Sequence, residues 1–128
     1  MKNKVEIKKS KIKNAGRGVF ASVDIRKGEV IEVCPILIFR ETDTDLVMKT
    51  RLGSYVYAYD KSGSMFALGY GSLYNHSITP NATYELLEYP EKTEQDSELI
   101  ITAIKSIGKN EEIYFDYGND YLAENNAE

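Results

Sequence analysis

This chain has one cysteine, one histidine, three prolines and no tryptophan among its 128 residues. A single thiol, Cys34, excludes an internal disulfide and any zinc site built on several thiolates. It lies between Val33 and Pro35 in an apolar run, the setting of a buried structural thiol rather than a reactive one. The lone histidine, His76, has no Cys, His or acid beside it at metal-ligand spacing, so it reads as a hydrogen-bonding residue and no metal is expected. Long apolar runs are missing as well: the run that holds PILIF at residues 35–39 is far below the ~18 residues of a membrane span. The basic start MKNKVEIKKSKIKN lacks the apolar centre and small-residue cleavage site of a secretory signal. An intracellular, cytoplasmic protein is expected, and the sequon matches at Asn75 and Asn81 are then chance ones. Nor is there a surplus of positive charge. A net charge of −4 argues against direct nucleic-acid binding. Lysines crowd the first thirteen positions while acids dominate 85–98 and 111–128, so an acidic face could meet a cationic partner.

What the chain does hold is a succession of short strand-like runs. VEIK, EVIEVCPILIF, ATYELLEY, ELIITAI and EIYFDY combine β-branched and aromatic residues in partial alternation. The turn signals NAGRG, RKGE, KSGS, YPEKTEQDS and IGKNE separate them. One mainly β domain of small twisted sheets over residues 1–128 is expected, its core running from about residue 4 to residue 120. Only TDTDLVMKTRLGS has a helical cast, with Thr42 or Asp43 as cap and Gly53 near its end. In YVYAY, Tyr55, Tyr57 and Tyr59 alternate and would share one strand face. That face is either a half-buried aromatic strand or a wall around a cation or an adenine ring.

Three polar elements interrupt the apolar strands. In NAGRGVFA, Gly16 and Gly18 flank Arg17 just ahead of a strand, where residues without Cβ let the backbone run close against a ligand. The third glycine and following helix of a dinucleotide fingerprint are missing. GSLYNHSITPN carries Asn75, His76, Ser77 and Asn81, which need partners if buried and are a plain surface turn if not. In GKNEEIYFDYGNDY, Tyr117 stands at a strand end beside Gly118, either as a core aromatic or with its hydroxyl in a cleft.

Taken in order, GRGVFASVDIRKGEVIEV, LGYGSLYNHSITPNATYEL and GKNEEIYFDYG resemble the SET-domain family of protein-lysine methyltransferases. That family's pattern runs GxG with an apolar strand and a KGE-type turn, then N-H-S-x-x-P-N, then G-E-E-ϕ-x-x-D-Y-G with ϕ apolar. The resemblance implies a SET fold: several small twisted β-sheets and a C-terminal pseudoknot in which residues 75–81 meet residues 112–118. It implies S-adenosylmethionine as cofactor, S-adenosylhomocysteine as product, and no metal. Gly16, Arg17 and Gly18 would present backbone to the cofactor, Asn75 would bond its amino-acid end, and His76 would contact the adenine and brace the site. Tyr117 falls on the catalytic tyrosine, next to the cofactor. Tyr55, Tyr84, Phe115 and Tyr121 would line the lysine channel. Phe115 leans towards di- or trimethylation, whereas Tyr84 keeps a hydroxyl that restricts it.

The departures from the pattern also carry meaning. With Cys34 alone, the cysteine-rich zinc modules of many relatives are excluded, and Ile78 stands where many have cysteine. The chain is similar to the minimal SET proteins of viruses and bacteria, some of which form homodimers. A basic, lysine-containing peptide such as a histone tail would suit the acids Glu85, Glu88, Asp116 and Asp120, and a histone substrate would extend the expected location to the nucleus. Two other readings stand beside this one: a non-catalytic SET-type domain that binds peptide or cofactor, and a methyltransferase acting on a non-histone target.

Overall fold

The structure, a computed structural model, describes residues 3–61, 63–88 and 97–117. Its longest strand, β3 (Val30–Phe39), is shared between two neighbours. Residues 30–35 pair antiparallel with β8 (Glu98–Ala103), and residues 36–39 pair antiparallel with β5 (Ser64–Ala67). Pro35 sits at the hand-over, the place in a long central strand where a missing N–H costs least. With β4 (Val56–Ala58) beyond β5 and β7 (Ala82–Leu87) beyond β8, the first sheet has the order β4-β5-β3-β8-β7.

The second sheet is smaller and holds the ends of the chain's motifs side by side. Its order is β1 (Val5–Lys9), β2 (Arg17–Ala21), β9 (Glu112–Phe115) and β6 (Asn75–His76). The first two pairings are antiparallel, and β6 runs parallel to β9. Apolar side chains between the sheets, among them Val19, Ile36, Leu99, Ile101, Ile113 and Phe115, form one core and are each no more than 1% exposed. The strand-dominated reading of the sequence therefore holds, and the sheets are small and curled as expected.

The helical expectation needs adjustment. Helix α1 spans Glu41–Val47, starts from Arg40 without a side-chain cap, and so begins before Thr42 and Asp43. A separate 3-10 turn at Arg51–Tyr55 follows, with Thr50 Oγ1 accepting the Leu52 N–H at 3.2 Å. That turn takes Tyr55 out of the strand, leaving β4 only three residues long. Tyr55, Tyr57 and Tyr59 thus do not share one strand face: Tyr57 is buried, whereas Tyr55 is 40% exposed. No helix among the described residues is long and apolar enough to cross a membrane.

Candidate active site

The parallel pairing of β6 with β9 sets Asn75 beside Tyr114 and His76 beside Phe115. Ser77 N–H donates to the Phe115 carbonyl at 3.2 Å, extending the contact by one residue. The chain then turns through Pro80, and Asn81 bonds to β9 again. Its Nδ2 donates to the Glu112 carbonyl at 2.9 Å, its Oδ1 accepts from Tyr114 N–H at 2.8 Å, and its N–H donates to the Tyr114 carbonyl at 3.2 Å. Asn81 is 9% exposed. It is a stitch that ties the 75–81 segment to the C-terminal strand, each amide end meeting the backbone group that complements it.

Asn75 is oriented just as closely. Nδ2 donates to the Arg17 carbonyl at 3.0 Å and to Glu112 Oε2 at 2.9 Å. Both partners are acceptors, so the nitrogen must face them and Oδ1 is the end left to accept. Glu112, 3% exposed, also takes hydrogen bonds from Ser10 Oγ at 2.7 Å, Lys11 N–H at 2.8 Å and the Tyr114 hydroxyl at 3.0 Å. Burial by itself raises the Glu112 carboxyl, but the bonds from Asn75, Lys11, Ser10 and Tyr114 outweigh it and hold the group below the usual carboxylate range. Burial and the same carboxylate push the Tyr114 phenol up to about 12, so it stays a donor. This knot explains Gly18: a Cβ there would lie 2.2 Å from Glu112 Oε2 and 3.2 Å from Asn75 Nδ2. Gly16 answers to backbone shape instead, with φ of +75° and open space around it.

Behind these residues lies an aromatic box. The Tyr57 ring is 5.9 Å from Tyr84, 6.1 Å from Phe115 and 5.6 Å from Tyr117, and Tyr84 lies 4.9 Å from Phe115. Tyr74 stacks on Phe115 at 5.2 Å, and His76 lies 5.1 Å from Tyr117. Tyr117 is tied down through its hydroxyl, which donates to the Tyr74 carbonyl, its N–H, which donates to His76 Nδ1 at 3.0 Å, and its carbonyl, which accepts from the Tyr84 hydroxyl at 3.2 Å. Since Nδ1 accepts that amide proton, neutral His76 carries its own proton on Nε2. Asp116 Oδ1, 3.7 Å from the same nitrogen, is the more distant of the two neighbours.

An open cleft of about 790 Å³ borders this box. Gly16, Arg17, Tyr55, Tyr74, Asn75 and Tyr117 are among its walls. A smaller apolar recess of about 360 Å³ adjoins it, sharing Arg17, Tyr55, Ser72 and Leu73 with the larger one. Gly16, Arg17, Asn75 and Tyr117, singled out from the sequence, therefore meet in one place. Gly18 and His76 support that place from behind rather than lining it. Tyr84 and Phe115 lie together in the aromatic box, but Tyr55 stands apart from them on the cleft, and Tyr57 takes the place in the box that Tyr55 was expected to hold. Tyr121, Gly118 and Asp120 lie outside the described residues. The sequence reading passed over Glu112, although the doubled acid of KNEE was its visible trace; nothing in the alternation of YVYAY separated Tyr57 from Tyr55. Among the described residues no three His, Cys, Asp or Glu side chains converge as a metal site.

A zwitterionic sulfonium cofactor fits this donor set. Asn75 Oδ1 can accept from an ammonium, the exposed Arg17 guanidinium can meet a carboxylate, and the rings of Tyr55 and Tyr117 favour a sulfonium charge. The cleft volume is within the roughly 300–1,000 Å³ usual for small-molecule sites.

Residues 16–118 match the model of the SET domain family. A curated relative from Schizosaccharomyces pombe, a histone-lysine N-methyltransferase specific for H3 lysine-37, is 31% identical over 113 residues, which are 88% of this chain and 73% of that protein. Among solved structures, a candidate histone methyltransferase of Plasmodium falciparum has a TM-score of 0.76 at 32% identity, covering 95% of this chain and 99% of that one. The Chaetomium thermophilum polycomb repressive complex 2 bound to S-adenosylmethionine has a TM-score of 0.76 at 21% identity, a likeness of fold, over 99% of this chain and 17% of that one.

Proposed function

The chain belongs to the SET-domain family, and from that premise we propose that it transfers a methyl group from S-adenosylmethionine to the side-chain amine of a lysine in a protein, a histone being the substrate class favoured. The observation that carries this reading is the convergence of Gly16, Arg17, Asn75 and Tyr117 on one cleft with an aromatic box behind it.

The cofactor would supply a methyl carbon activated by a sulfonium. Gly16 and Arg17 would hold it through backbone and guanidinium, and Asn75 through Oδ1. The chain's other task is to present a neutral amine, because a free lysine side chain has a pKa of about 10.4 and is protonated at neutral pH. Tyr57, Tyr84, Phe115 and Tyr117, whose rings lie together, would line the passage for that amine, where desolvation disfavours the ammonium form. The Tyr117 hydroxyl donates its hydrogen bond to the Tyr74 carbonyl, so its oxygen keeps lone pairs that can accept from the amine or the reacting methyl. It is an orienting and electrostatic group in this scheme, and proton loss to water serves as the base step. A basic peptide would find Glu85, Glu88 and Asp116 exposed.

The decisive experiment incubates the protein with methyl-labelled S-adenosylmethionine and histones or histone peptides, beside Tyr117→Phe. Transfer to lysine by the wild type, reduced at least about a hundredfold in the variant, is expected. Cofactor binding with no transfer to any lysine would instead favour a non-catalytic binding domain.

A further inference from the structure

Glu32 carries no role in the chemistry above and lines neither cavity, yet it is built into the support of Tyr117. It sits where β3 slips register against β8, between Val30 and Glu32. The bulge breaks the alternation of buried residues, Ile31 being followed by Cys34, Ile36 and Ile38. A bulge re-aims side chains, and here the Glu32 carboxylate meets the turn Gly69–Tyr74. Oε2 accepts Tyr70 N–H at 2.9 Å, and Oε1 accepts the Tyr74 hydroxyl at 2.8 Å. A Cβ on Gly69, whose φ is +64°, would come within 2.6 Å of Oε2. One carboxylate thus clasps both ends of the Tyr70–Tyr74 segment.

The far end of that segment is the part that matters. Tyr74 is fully buried, its ring stacked on Phe115, and its main-chain carbonyl accepts the Tyr117 hydroxyl. Side chain and carbonyl belong to one residue in close packing, so fixing the hydroxyl at Glu32 fixes the carbonyl as well. We infer that Glu32 is a positioning residue for methyl transfer: through Tyr74 it sets the acceptor that aims the Tyr117 hydroxyl. The inference rests on the role proposed for Tyr117.

The test compares Glu32→Ala, Glu32→Gln, Tyr74→Phe and Tyr117→Phe by two readouts. One is the Cζ resonance of Tyr117 in protein carrying ring-labelled tyrosine, assigned by its loss in Tyr117→Phe. The other is single-turnover transfer together with the dissociation constant of S-adenosylmethionine. Glu32→Ala shifts the Tyr117 resonance and lowers the transfer rate by about tenfold to a hundredfold, the cost of small misplacements at a reacting centre, while cofactor affinity stays within about twofold. Tyr74→Phe acts in the same direction, and the double variant is no worse than Glu32→Ala because both cut one linkage. Glu32→Gln falls between wild type and Glu32→Ala in both readouts, since its Oε1 can accept Tyr70 N–H and its Nε2 can donate to the Tyr74 hydroxyl, which then loses its own acceptor. Folded Glu32→Ala and Tyr74→Phe proteins with an unmoved resonance and an unchanged rate overturn the inference, as does a loss that falls equally on cofactor affinity. If Tyr117→Phe transfers at the wild-type rate, the proposed role of Tyr117 has failed and the positioning claim with it. A failure at Glu32 alone looks different: Tyr117→Phe is impaired and Glu32→Ala is not.

Discussion

Asn75 and Glu112 are joined by a hydrogen bond of 2.9 Å across the pairing of β6 with β9, and Gly18 has no room for a methyl group because both lie against it. Three stretches far apart in the chain therefore depend on one another at a single point.

Gly18→Ala tests that dependence. The new Cβ would overlap Glu112 Oε2 and displace it from Asn75, turning the amide away from the cleft. We expect S-adenosylmethionine affinity, measured by calorimetry, to fall by at least about tenfold, or about 1.4 kcal/mol. Gly16→Ala meets no atom within 4 Å but adopts a φ of +75°, costing about 1–2 kcal/mol of stability with a smaller effect on affinity. Equal losses in the two variants would remove the special status of the Glu112 contact.

Glu112→Gln tests the carboxylate itself. Its folded-state pKa lies below the ordinary 4.5, because the bonds from Asn75, Lys11, Ser10 and Tyr114 overcome the raising effect of burial. A depressed carboxyl stabilises the fold fully above the unfolded value and loses that contribution as the pH falls through the folded one. The stability gap between wild type and Glu112→Gln, from urea melts at each pH, should be constant above about pH 5.5 and narrow in more acid solution. A gap that widens in acid contradicts the assignment.

Phe115→Tyr tests the lysine passage. Phe115 is 0% exposed among the rings of Tyr57, Tyr74, Tyr84 and Tyr117, so an added hydroxyl must find an acceptor inside the box or cost about 1–3 kcal/mol. It also narrows the space for an amine that already bears methyl groups. Mass spectrometry of a methylated peptide should show the product distribution moving towards monomethyl-lysine. Tyr84→Phe, which frees space and deletes the bond to the Tyr117 carbonyl, should move it the other way. Unchanged distributions in both would take Phe115 and Tyr84 off the passage.

Cys34 supplies a control on the fold. It is 0% exposed, and burial together with Glu32 pushes its thiol up to about 12. Its reaction with a disulfide reagent at pH 8 should therefore follow global unfolding, accelerating with urea in step with the circular-dichroism transition. Rapid labelling of the native protein would contradict this burial.

Much of this site was legible in one dimension because its parts are local. The GxG turn needs a positive φ at Gly16, the strands need β-branched and aromatic runs, and the Asn-His-Ser and Phe-Asp-Tyr stretches are contiguous. The place of Tyr57 was not legible, since a 3-10 turn ending at Tyr55 shifts which tyrosine enters the box, and alternation alone has no means of marking where a strand begins.

The sequence by itself determined that this is a small, strand-rich SET domain and that Gly16, Arg17, Asn75 and Tyr117 belong together, because motif order and residue chemistry survive without coordinates. Only the tertiary structure decided how those residues are held. Glu112 and Glu32 act through partners 37 and 42 positions away in the chain, Asn75 and Tyr74. No local pattern encodes such a bond, because it exists only once a parallel strand pairing and a β-bulge have brought carboxylate and donor within reach.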